Sequence, residues 1–141
     1  MAYAAAEELE KADATIEENM RRNPDYLFAR ANYAEVCLAR KEYEKIPEIF
    51  DHAYDLQELY PKRKRFHISE FANFMGIMGL SFAKTDQREM AEEYNEALQE
   101  MAPDFPMAKR LNRELNPGML TRLLRRMAGE QTAEEAETDD S

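Results

Sequence analysis

The sequence holds one cysteine, two histidines, four glycines and no tryptophan among 141 residues. The single thiol, Cys37, excludes an internal disulfide framework and any cysteine-built zinc or iron–sulfur site. Between Val36 and Leu38 it reads as a small core residue rather than a nucleophile. Four glycines and six prolines are too few for a many-turned sandwich or barrel. His52, beside Asp51 within an expected helix, and His67, at a helix start, lack further ligands at helical spacing. Solvated or capping roles are expected for both, and neither a metal nor another cofactor is expected. Gly76-Ile77-Met78-Gly79 falls within a helix rather than in a phosphate-binding loop, so its glycines read as close-packing positions. With no serine-centred elbow either, an enzyme is not expected. The longest apolar candidate, Phe71 to Ala83, is well short of the roughly 20 residues of a membrane span. The first residues lack the basic segment of a secretory signal, and the expected location is cytoplasmic.

What is present is helix-forming. Apolar residues make up 44% of the chain, enough to bury a core, and Ala, Glu, Leu, Met and Arg abound. One domain is expected over 1–128, followed by a disordered acidic tail at 129–141. The net charge of −10 is uneven. Residues 1–60 carry −7, 66–106 carry −6 and 129–141 carry −6, while 61–65 carry +4 and 107–128 carry +5. Two basic islands thus lie in an acidic chain whose overall field repels nucleic acid, and no nucleic-acid partner is expected.

Apolar spacing predicts helices over 4–22, 25–39, 44–59, 67–84, 87–101, 106–115 and 118–128. Leu9, Ala12, Ile16 and Met20 form one stripe on the first. Pro47 is expected in the first turn of the third, where it would not kink it. The helix over 67–84 is apolar nearly all round, with only Asn73 and Ser81 polar between Phe71 and Ala83, and should be the central buried one. Nine methionines, including Met75, Met78, Met90 and Met101, read mostly as core filling.

The helix pairs recur. Ala12, Ile16 and Asn19 reappear 34 residues later as Ile46, Phe50 and Ala53, and Phe50 and Ala53 reappear 44 residues on as Tyr94 and Ala97. Tyr33-Ala34, Cys37, Tyr43, Ile46, Phe50 and Ala53 make one set, and Met78-Gly79, Phe82, Met90, Tyr94, Ala97 and Pro103 a second. This pattern resembles the tetratricopeptide repeat family over roughly residues 4–106. Cys37 stands where the family has an aromatic, Ile46 where it has a small residue, and the excess of the second period lies near 57–67. The longer period also fits HEAT or armadillo repeats. The resemblance implies an all-α superhelix of about two full helical hairpins with flanking capping helices. It further implies a non-catalytic scaffold holding a peptide or protein segment in a concave groove. By that analogy the inner face is Phe28, Ala31, Asn32 and Glu35, then Asn73, Gly76, Ile77 and Leu80. Ala31 and Glu35 replace the residues with which the family clamps acidic chaperone tails, so that clamp is not expected.

The basic run Lys62, Arg63, Lys64 and Arg65 reads either as a solvated loop neutralising nearby acidic helix ends or as a docking site for an acidic or phosphorylated segment. The amphipathic helix 118–128, with Leu120, Leu123, Leu124 and Met127 opposite Arg122, Arg125 and Arg126, is expected to cap the stack. A homo-oligomer through the terminal helices, a small acidic secretion-type chaperone, and an assembly segment of a larger protein are the other readings.

Overall fold

A computed structural model describes the backbone of residues 2–128 and the side chains of residues 5–118 and 124–128. The expected tail, 129–141, lies outside the described residues. All regular structure among the described residues is helical. The order is α1 (Ala2–Arg22), α2 (Leu27–Ala39), a 3-10 turn (Tyr43–Lys45), α3 (Ile46–Ile49), α4 (Leu56–Leu59), α5 (Ile68–Lys84), α6 (Arg88–Met101), α7 (Pro106–Leu115) and α8 (Pro117–Ala128).

Local chemistry sets most of these boundaries. Pro24, Pro61 and Pro103 stand in the turns after α1, α4 and α6, while Pro106 and Pro117 open α7 and α8. Proline suits a first helical turn because its missing N–H has no partner there in any case. Lys41 and Asp86 adopt left-handed backbone, at φ 61° and 60°, where α2 and α5 end. His67 caps α5: its ring accepts the Ser69 N–H, and the Glu70 carboxylate accepts the His67 N–H.

α5 is central, as its all-round apolarity requires. It packs against α2, α3, α6 and α7. Phe74, Ile77 and Met78 on α5 are fully buried with Leu27, Cys37, Ile46, Phe50, Leu98 and Leu111 from its neighbours. The Phe50 and Phe74 rings meet edge to face at 5.1 Å, and Phe82 and Tyr94 at 5.2 Å. Burying one such side chain is worth about 1.5–3 kcal/mol, whereas an exposed helical pair such as Arg21–Glu17 or Arg22–Glu18 contributes about 0.3–0.5 kcal/mol. Apolar packing around α5 therefore decides the fold. The two glycines of α5 act by close approach. A Cβ on Gly76 would stand 2.7 Å from the Met107 Cβ, and one on Gly79 would stand 2.5 Å from Leu111 Cδ2, so α7 lies directly on α5.

The expected continuous helix over 44–59 is corrected. It is broken into the 3-10 turn, α3 and α4, and the segment between them turns back on itself. Pro47 does lie in the first turn of α3, but His52 is not helical: Asp51 and His52 have φ 51° and 58°. The His52 N–H returns to the Pro47 carbonyl at 2.8 Å and the Ala53 N–H to Phe50 at 2.9 Å. Asp and His enter left-handed backbone more readily than most residues. The buried Arg30 then holds the turn, donating to the Ile49 carbonyl at 2.6 Å, the Pro24 carbonyl at 2.7 Å and the Asp51 carboxylate at 3.2 Å. The Tyr94 hydroxyl donates to the Tyr54 carbonyl, and Asp55 caps α4 through the Glu58 N–H. The Phe50 and Ala53 side chains that carried the repeat pattern are buried, though in this turn rather than on a helix.

Candidate interaction surface

α5 lies between α2 and α7, and an ion pair from Arg110 on α7 to Glu35 on α2, at 3.0 Å, marks the face these three helices share. The approach at Gly76 lets α7 come near enough to α5 for this reach. The expected inner-face residues divide sharply here. Ala31, Gly76, Ile77 and Leu80 are buried beneath the surface, with Gly76 covered by Met107. They lie in the core beneath that face. Phe28, Glu35 and Asn73 are half-buried and Asn32 is exposed. Glu35 is occupied by Arg110, and the Asn73 amide donates to the Ser69 carbonyl at 2.8 Å. Phe28 and Asn32 are thus the open members. Phe28 packs edge to face with Tyr26 at 5.8 Å, and Tyr26 is itself 57% exposed.

The basic loop also divides. Arg63 folds inward as a double donor to Glu70, at 2.8 and 2.9 Å, with its guanidinium 4.5 Å from the Phe66 ring centre and 5.7 Å from that of Tyr60. This is the helix-neutralising role, at the acidic first turn of α5. The paired hydrogen bonds from Arg63 hold the Glu70 carboxyl below its ordinary value, with help from the His67 N–H. Lys62, Lys64 and Arg65 remain exposed. A hollow of about 460 Å³ beside them is lined by Asp25, Leu59, Tyr60, Pro61, Lys62 and Arg63. Asp25 adjoins Tyr26 in sequence, so the hollow and the aromatic pair lie at the same end of α2.

The Cys37 thiol is fully buried and burial pushes its pKa up, away from nucleophilic reactivity. Among the described residues no three of His, Cys, Asp and Glu converge as a metal-binding set, and no helix is long and apolar enough to cross a membrane. Met78 is buried, Met75 and Met90 pack against the core, and Met101 is exposed, so these methionines do not line one groove.

Three features had little or no signal in the pattern. Arg30 sits on an otherwise apolar stretch of α2, and a lone arginine among Ala29, Ala31 and Ala34 is the clue that it is buried and committed. Asp51-His52 is a two-residue left-handed signal within an apolar helical period. The Arg110–Glu35 pair, 75 residues apart, has no local trace. Comparisons with family models, with curated proteins and with solved structures return no match for this chain.

Proposed function

We propose that this chain is a non-catalytic interaction scaffold of tetratricopeptide-like construction that holds a segment of a partner protein on the face shared by α2, α5 and α7. The observation that carries the reading is the start of α2, where the exposed Tyr26, the half-buried Phe28 and the exposed Asn32 follow one another along the helix. Aromatic anchors beside an amide are what a peptide's side chains and backbone require. The neighbouring hollow and the cations Lys62, Lys64 and Arg65 favour an acidic segment. The helix pairs, the small residues at helix crossings and Pro103 after α6 are the features behind the tetratricopeptide-like reading.

The test is site-specific photocrosslinking in extract of the source cells. A photoreactive residue at position 32 should trap discrete partners, while one at exposed Glu89 on α6 should not. Changing Lys62, Lys64 and Arg65 to Glu should reduce the same adducts. Equal labelling from both positions would overturn the reading.

A further inference from the structure

The two terminal helices each carry an exposed apolar patch, and the patches are flanked by opposite charge. Among the described residues α1 is the longest helix, yet only its second half has half-buried side chains beside α2. The tie between Arg40, at the end of α2, and Asp13 on α1, at 2.7 Å, marks where that seat ends. Every side chain described from residue 5 to residue 12 is exposed, and Leu9 is 66% exposed. Leu9 nevertheless lies on the same helical stripe as the half-buried Ile16 and Met20, with Ala5, Ala6 and Ala12 beside it. The stripe that seats α1 therefore continues past its own partner helix, and Glu7, Glu8 and Glu10 surround the continuation.

At the other end, α8 packs against α7 and turns Leu124 and Met127 outward, 56% and 71% exposed, beside the exposed Arg125 and Arg126. Residues 119–128 contain three arginines and no acid, while residues 5–12 contain three acids and one lysine. Like charge disfavours α1 against α1 and α8 against α8, whereas α1 against α8 joins apolar to apolar and acid to base. A contact between two different surfaces of identical chains is head-to-tail, so it propagates into open arrays or closes into a ring. We propose that this chain assembles head-to-tail, the first half of α1 in one copy docking on α8 of the next. This assembly uses different residues from the Tyr26, Phe28 and Asn32 surface and does not rest on the proposed function.

Sedimentation velocity on the full chain tests it. The mean mass should rise with concentration and fall with added salt. Leu9→Lys should abolish association by blocking α1, and Leu124→Glu with Met127→Glu should do so by blocking α8. All three positions are exposed, so helical circular dichroism should be unchanged. Mixing the two blocked forms should give a dimer that grows no further, because one open α1 then meets one open α8. As a second pair, Glu8→Lys with Glu10→Lys should raise the dissociation constant about tenfold, and Arg125→Glu with Arg126→Glu in the other copy should restore it. A native chain that stays monomeric at low salt overturns the proposal, as does the same monomer binding anionic vesicles instead. It is equally overturned if either blocked form still dimerises alone, or if the charge reversals change nothing.

Discussion

Arg30 shows how one side chain can hold an irregular segment that its own backbone pattern does not favour. Its guanidinium serves two main-chain carbonyls, Pro24 and Ile49, and the Asp51 carboxylate, while lying 5.8 Å from the Tyr60 ring centre. Removing it would leave the buried end of α3 without a donor. Leaving a buried acceptor unpaired costs about 1–3 kcal/mol, and Arg30→Ala also loses the packing of the stem, so urea denaturation should show a loss of about 2–4 kcal/mol. Arg30→Lys should recover only part, because an ammonium lacks the planar fork that serves separated acceptors. Ser81 is the converse case. Its hydroxyl is buried on α5 with no hydrogen-bond partner among the described residues, and an unmade buried hydrogen bond is unfavourable. Ser81→Ala should therefore leave stability unchanged or raise it by up to about 1 kcal/mol. A clear loss in the same denaturation series would show that the hydroxyl is paired. Glu70 supplies a pH signature. Its folded pKa lies below the ordinary value because Arg63 donates to both its oxygens. Its contribution is then complete above the unfolded carboxylate pKa and is lost as pH falls through the lower folded value. Glu70→Gln should flatten the fall in stability on the acid side of pH 4.5 and leave its pH dependence near neutrality unchanged.

At the scale of elements, the two glycines of α5 separate close approach from adaptable contact. Alanine at either position gains up to about 1 kcal/mol of helix propensity, against a clash that differs in kind. At Gly76 the new methyl meets the Met107 Cβ, which is fixed to the α7 backbone, so the whole helix must move. At Gly79 it meets the far end of Leu111, which has rotamers to yield with. Gly76→Ala should therefore destabilise more than Gly79→Ala, although its contact distance is the longer. Thermal unfolding of both variants would show the order, and the reverse order would mean that α7 shifts freely on α5. The same contrast explains what the sequence made legible. α1, α2, α5, α6 and α7 were readable because each has an apolar period closed by proline or by a left-handed residue, and α8 because Pro117 opens its own period. The stretch 44–59 was misread because Ile46, Ile49, Phe50, Ala53 and Leu56 keep a helical period while being buried around a turn. Periodicity reports which residues are buried and cannot see that Arg30 and Tyr94, remote in sequence, satisfy the freed carbonyls. The candidate surface was legible by residue type along α2, where Phe28 and Asn32 are accessible. Along α5 the sequence marks Gly76 and Gly79 as close-packing positions but does not show that α7 is the helix that packs there and covers them.

Across the whole molecule, stability should fall from the middle toward both ends. α5 shares packing with α2, α3, α6 and α7, so its amides should open only with global unfolding. Among the described residues the first half of α1 has no tertiary seat: the side chains of residues 5–12 are exposed. An isolated helix of that length is marginal in water, so those amides should exchange through local fraying with little protection. Native-state hydrogen exchange measures both in one experiment. In dilute protein, the amides from Phe74 to Phe82 should follow the global unfolding free energy, and those from Glu7 to Ala12 should exchange orders of magnitude faster. Head-to-tail docking adds a second expectation. Protection at Glu7–Ala12 should grow with protein concentration and vanish in the form blocked at Leu124 and Met127, whose own α1 is intact but finds no α8 to dock on. Uniform protection along α1 at every concentration would mean that its first half is held within the monomer, and would refute both the gradient and the assembly.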